Sequence, residues 1–216
     1  MRQNNFPTIG LTGITGSGTS TASAILAERG GFVLHADKIA HDVMGKKNTA
    51  YSEICEAFGS DILTPDGEIN RRILGARVFN NKQELEKLEK IIHPRVIERT
   101  RKIIAKVAEM GTHTFMVIDA PLLVESGMDT MCDSVWLITA PNDLRITRIT
   151  ARDDIDENSA KRRLDSRNGD LKLRERANII IENNGSAIAL RSKIETALKA
   201  MELKIHGWQG MRVLEI

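Results

Sequence analysis

The sequence predicts an α/β fold: a central parallel sheet of five strands in three layers, with a helical insertion and a charged lid. Two observations carry this. Apolar runs of strand length recur along the chain without the alternation expected of a half-exposed sheet. Helical stretches separate them, as the crossovers between parallel strands require. The runs are TIGLT (8–12), GFVLHAD (31–37), TFMVID (114–119), SVWLIT (134–139) and NIIIEN (178–183).

The bulk composition narrows the function. At 216 residues the chain can form one substantial core with a small inserted subdomain. Apolar residues at 41% and charged residues at 28% fit a soluble globular protein. Aromatics at 4% leave few base-stacking platforms, and a net charge of +2 gives no polyanion-binding field. A nucleic-acid partner is therefore not expected. Cys55 and Cys132 stand far apart and outside any metal-like spacing, which suits a reducing compartment. The stretch MRQNNFPTIG has no apolar leader segment, and no later run approaches a membrane span. The expectation is a cytoplasmic chain acting on a small molecule, with no membrane partner. Nothing in the sequence specifies an oligomeric state.

The first strand opens onto the most informative stretch. Gly13-Ile14-Thr15-Gly16-Ser17-Gly18-Thr19-Ser20 fits the phosphate-loop pattern G-x-x-x-x-G-K-[ST] everywhere except at the lysine, where Thr19 stands. Glycines let the backbone wrap tightly and turn successive amides toward phosphate oxygens. The helix that follows adds its positive dipole end. Gly13, Gly16, Ser17, Gly18, Thr19, Ser20 and Thr21 are thus candidates to hold the phosphates of ATP, and Ser20 to ligate Mg²⁺. A loop without its lysine lacks one point charge on the terminal phosphates. Losing one such stabiliser costs on the order of 100- to 1000-fold in rate, yet the amides and the metal remain.

The elements after the loop follow in order. The second strand leads to a region, 38–112, with no strand pattern and with helical periodicity around Pro94. It reads as a helical substrate-binding subdomain inserted into a core formed by 1–37, 113–148 and 177–205. The segment 149–176 is dense in both signs of charge. It is either a solvated pair of helices or a lid whose arginines close over phosphates. HGWQGMRVLEI (206–216) is either an extra strand or a tail.

Beyond the loop, FVLHADKIAHDV, DGEINRRIL, IIHPRV, APLLVESG, TRITARDD and IIIENNG occur in an order and at distances that resemble the dephospho-CoA kinases. The resemblance runs from Thr8 to about Leu203. It implies a P-loop kinase that uses ATP and Mg²⁺ to phosphorylate the ribose 3′-hydroxyl of dephospho-CoA. Asp37 then corresponds to the general base, although an Asp there also suits a helix N-cap. Arg148 corresponds to a lid-side arginine on the ATP phosphates, and Arg152 lies one turn further on the same face. Thr12, Arg71 and Glu125 correspond to positions near the acceptor. Asn183, Asn184 and Gly185 correspond to the turn near the adenine, with Asn184 the residue expected to bind. Asp119 could hold a metal-bound water, and His93-Pro94 matches a family signature but also suits packing at a helix kink.

Three departures surround the reaction centre: Thr19 for the loop lysine, His35 for the first aspartate of the family's D-A-D motif, and Arg167 where a lid glutamine is common. In one reading Arg167 or another lid arginine supplies the missing cation, since Arg stays protonated and grips phosphate oxygens in pairs. In the other, the chain is a divergent relative acting on a nucleoside or polyol hydroxyl, or a nucleotide sensor without chemistry. Retention of Asp37 favours an enzyme.

Overall fold

The computed structural model describes residues 6–79, 81–165, 170–205 and 213–216. It divides into two compact units, Met1–Leu34 with Met110–Ile216, and His35–Glu109. In chain order the helices are α1 (Thr19–Glu28), α2 (Ala36–Val43), α3 (Thr49–Phe58), α4 (Arg71–Phe79), α5 (Lys82–Met110), α6 (Asn142–Asp153), α7 (Glu157–Asp165), α8 (Asp170–Arg176) and α9 (Ala187–Ile205). The strands are β1 (Thr8–Gly13), β2 (Gly31–His35), β3 (Phe115–Asp119), β4 (Ser134–Thr139), β5 (Ile179–Glu182) and β6 (Leu214–Glu215).

The sheet order is β2-β3-β1-β4-β5-β6. β1 lies at its centre, parallel to β3 through Ile9↔Val117 and to β4 through Leu11↔Trp136. Side chains alternate across the pleat, so each strand feeds two layers. Ile9, Leu11, Val117, Trp136, Ile138, Ile179 and Ile181 pack with Ala22, Ile25 and Leu26 of α1 and Leu190, Ile194 and Ala197 of α9. The alternate residues Leu137 and Ile180 pack with Leu173 and Ala177 at the α8 end. Helices therefore cover both faces, which explains why the strands read as unbroken apolar runs.

Two expectations need correction. The sheet has six strands, because β6 joins β5 in parallel at Ile179↔Leu214 and Ile180↔Glu215. A strand of two residues carries no periodicity to read, and its pairing partner lies far away in the chain. β2 also stops at His35, two residues before the predicted end, so Asp37 belongs to α2. An Asp in the first turn is stabilised by the helix dipole, which favours starting the helix there.

The second unit, which comprises α2, α3, α4 and nearly all of α5, has its own apolar core. Ala50, Ile54, Phe58, Ile62, Ile69, Leu74 and Val78 are buried together, with Leu88, Ile91 and Ile92 of α5 packed against them. α5 runs continuously through Pro94. Among the described residues no helix is long and apolar enough to cross a membrane.

Candidate active site

The loop between β1 and α1 is shaped by its glycines. Gly16 and Gly18 have φ of 81° and 97°, in the region that side chains avoid. Gly18 is the N-cap of α1 and brings no side chain to satisfy it, so the amides of Thr19 and Ser20 have no intrahelical acceptor. A β-carbon on Gly18 would lie 2.3 Å from Asn183 Nδ2.

The loop's carbonyls are held from outside. Arg145, only 7% exposed, donates from Nε to Thr15 O at 2.9 Å. Arg148 donates to Gly16 O and Ser17 O at 3.4 Å and to Asn183 O at 3.1 Å. Asn183, also buried, donates from Nδ2 to Ser17 O at 2.8 Å. Side chains from α6 and from the end of β5 thus occupy successive carbonyls. This leaves the amide side of the loop for an anion, with two guanidinium groups behind it.

Two hydroxyls at the loop are buried without a partner among the described residues, Thr12 Oγ1 and Ser17 Oγ. Unsatisfied polar atoms in a core are uncommon, and here they accompany the amide-rich face of a phosphate loop. Thr19 does not reproduce a lysine's reach. A β-carbon on Gly13 would come within 2.7 Å of Thr19 Cγ2, so the threonine methyl is folded back over the end of β1.

A cleft of about 390 Å³ opens beside the loop, lined by Gly16, Gly18, Thr19, Ser20, Thr21, Arg148, Arg152, Asn183, Gly185, Ala187 and Leu190. Most of the loop residues expected from the sequence meet there, together with Arg148. Of the Asn-Asn-Gly turn, Asn183 and Gly185 line the cleft. Asn184 instead donates to the Glu182 carboxylate at 2.9 Å and is exposed. Arg152, 61% exposed, is held in two hydrogen bonds by Asp153, which also pairs with Arg163 of α7. The Arg152 hydrogen bond, with Arg163 adding its charge, holds the Asp153 carboxyl below the usual carboxylate range. Arg167 lies outside the described residues.

Other expected residues sit around the sheet's carboxyl ends or in the second unit. Asp119 ends β3 and accepts a 2.8 Å hydrogen bond from Ser23 Oγ of α1. Glu125 is exposed in the turns after β3. Asp37 is exposed in the first turn of α2, whose N-cap is His35, and Arg71 is exposed at the start of α4. His93 and Pro94 lie within α5. The described residues contain no cluster of His, Cys, Asp and Glu able to hold a metal ion by themselves. A cation here would depend on Ser20, phosphate oxygens and water, as oxygen-ligated Mg²⁺ commonly does.

Sequence reasoning misses Arg145 and the clamping role of Asn183. Arg145 reads only as one charge among many; its low exposure, with the guanidinium turned onto a loop carbonyl, is invisible without the fold. Arg152 is visible through its four-residue spacing from Arg148.

Comparison with known proteins accounts for the combination of loop and scaffold. The family model for dephospho-CoA kinase matches residues 7–189. A dephospho-CoA kinase of Carboxydothermus hydrogenoformans is 36% identical over 202 residues, covering 92% of this chain and 96% of that one. One of Fusobacterium nucleatum is 40% identical over 187 residues, covering 87% and 94%. The structure of dephospho-CoA kinase from Campylobacter jejuni superposes with a TM-score of 0.65 at 28% identity, covering 91% of this chain and 98% of that one. The chain belongs to the dephospho-CoA kinase family.

Proposed function

We propose that this protein transfers the γ-phosphoryl group of ATP to the ribose 3′-hydroxyl of dephospho-CoA, giving coenzyme A and ADP. The observation that carries the reading is the loop itself. Its carbonyls at Thr15, Gly16 and Ser17 are bound by Arg145, Arg148 and Asn183 and the Ser17 amide by Ile14 O, which leaves the amides at the start of α1 for phosphate. Family membership gives the acceptor, and disfavours both the nucleoside or polyol kinase and the sensor without chemistry.

In this reading the acceptor oxygen bonds to the γ-phosphorus as the bond to the β,γ-bridging oxygen breaks, and ADP leaves with that electron pair. Asp37 takes the hydroxyl proton as general base. The amides of Thr19 and Ser20 and the hydroxyls of Thr12 and Ser17 orient the phosphates. Arg148 keeps the loop in shape and closes the cleft wall, with Asn183 and Gly185 beside the base. Arg71 and Glu125 bind the acceptor. Ser20 would hold Mg²⁺, which when bound neutralises charge on the β- and γ-phosphates.

The test is ADP release by the full chain with ATP, Mg²⁺ and dephospho-CoA, with mass spectrometry of the acceptor product. Turnover should require dephospho-CoA and fall at least about 100-fold in Asp37→Ala. ADP release that is indifferent to dephospho-CoA, or untouched by Asp37→Ala, would contradict the assignment.

A further inference from the structure

The turn that carries Glu125 is fastened to a helix that carries none of the candidate site residues. After β3 the chain passes through turns at 121–127, where Glu125 is exposed, into a 3₁₀ turn, Met128–Met131. α8 holds this stretch at two points. Val124, next to Glu125, packs against the buried cluster of Leu137, Leu173, Ala177 and Ile180. Further on, Asp129 Oδ2 accepts hydrogen bonds from both Nε and Nη2 of Arg176, the former at 2.9 Å. Ile14 of the phosphate loop packs against the same cluster. One helix thus supports both the phosphate loop and the Glu125 turn.

An ion pair is a poor choice here if stability is its only purpose. The Asp129 side chain is 4% exposed, although that of Arg176 is 55% exposed. Taking a carboxylate out of water is costly, and apolar side chains of similar volume commonly stabilise as well or better. What apolar packing lacks is direction. Two charge-assisted N–H groups converging on one oxygen fix the carboxylate's orientation. The backbone around it is tied in turn: Asp129 N donates to Leu123 O at 3.2 Å, and Ser126 Oγ to Leu122 O at 2.6 Å. The constraint therefore reaches residues on both sides of Glu125.

We infer that Arg176 and Asp129 are positioning residues for the acceptor: they set where Glu125 stands relative to the phosphate loop, and so align the acceptor hydroxyl with the nucleotide. The inference rests on the proposed reaction, with Glu125 as an acceptor contact. Arg176 acts only through Asp129 and the turn.

Steady-state kinetics of the full chain, varying dephospho-CoA and ATP separately, with urea unfolding of each variant, tests this. Arg176→Met alone strands a buried carboxylate and can fail through stability. The informative variant combines Arg176→Met with Asp129→Leu, which keeps the packing and removes the direction. Its urea midpoint should equal or exceed the parent's. Its kcat/KM for dephospho-CoA should fall about 10- to 100-fold, the range for a displacement of about 1 Å. Its KM for ATP should stay within about twofold of the parent's. Arg176→Lys, which keeps the charge, should recover part of the loss. In a Glu125→Ala background the loss should shrink to about twofold, because no contact remains to be aligned. The inference is overturned if the apolar pair uses dephospho-CoA like the parent, or if the KM for ATP rises in the same proportion. It is also overturned if the loss tracks a fall in the urea midpoint, or is undiminished in Glu125→Ala. A parent without dephospho-CoA-dependent turnover sinks the proposed function and this inference with it; an active parent separates the two.

Discussion

Gly18→Ala and Asn183→Ala should be strongly non-additive, and their coupling can be worked out from the loop. At φ 97° an alanine costs about 1–2 kcal/mol in backbone strain. Its β-carbon would also stand 2.3 Å from Asn183 Nδ2, closer than any real contact, so the amide must move. Movement breaks the buried 2.8 Å hydrogen bond from Asn183 Nδ2 to Ser17 O. Losing that bond and stranding its donor costs about 1–3 kcal/mol. Gly18→Ala alone should therefore destabilise by about 2–5 kcal/mol. Asn183→Ala loses only the bond, about 1–3 kcal/mol. In the double variant the bond is already gone and the collision has no partner, leaving only the strain to be added. The double variant should match Gly18→Ala within about 0.5 kcal/mol, with a coupling of about 1–3 kcal/mol. Urea unfolding followed by fluorescence measures this, using a Trp208→Phe background so that the buried Trp136 in β4 reports alone. Simple additivity of the two single variants would refute the claim that Gly18 is required because Asn183 occupies the space beside it.

Other consequences follow from named contacts. Ser23→Ala removes the hydroxyl that donates to Asp119 Oδ2 at 2.8 Å; if Asp119 holds a metal-bound water, turnover should need more Mg²⁺ while the acceptor KM stays fixed, and Ser23→Thr should restore it. In the second unit, Arg77 and Lys87 lie 5.5 and 5.4 Å from the Phe58 ring; Phe58→Leu should cost about 1–2 kcal/mol by urea unfolding, beyond which Arg77→Met and Lys87→Met add less than they do alone. The Asp153 carboxyl is held low chiefly by its Arg152 hydrogen bond, so its contribution is present above the ordinary carboxylate value of about 3.9 and lost as pH falls through the lowered native value. A urea midpoint profile from about pH 6 to pH 3 should show this acid limb, and Asp153→Asn should flatten it.

Local signals are legible in the sequence and distant pairings are not. The central strands and the glycine turn declare themselves within a few residues, because burial on both faces and positive φ constrain composition locally. The limits of the reading fall where structure depends on separation. Arg145 meets Thr15 across 130 residues and Asn183 meets Ser17 across 166, so no window holds both members of either pair. The resemblance places the Asn-Asn-Gly stretch at a turn, yet which asparagine enters the cleft depends on how β5 ends. Asn183 N donates to Thr139 O at 2.7 Å, which extends the strand pairing by one residue and turns Asn184 outward. β6 stays one of two readings of the final segment, extra strand or tail, because two residues cannot show a period.

These pairings also explain why a loop can lose its lysine and keep its recognisable form. In this protein the shape of the cradle does not rest on residue 19. Arg145, Arg148 and Asn183 hold its carbonyls, and Gly16 and Gly18 supply the turns. The Thr19 substitution therefore removes charge without removing geometry. Charge is the more transferable of the two: a cation can reach the terminal phosphate from another element, whereas amides must be fixed by the loop's own backbone. A chain under selection to bind ATP can thus relocate the first while keeping the second. That asymmetry separates what residue 19 would supply, which is charge, from what Gly16, Gly18, Arg145, Arg148 and Asn183 supply, which is geometry.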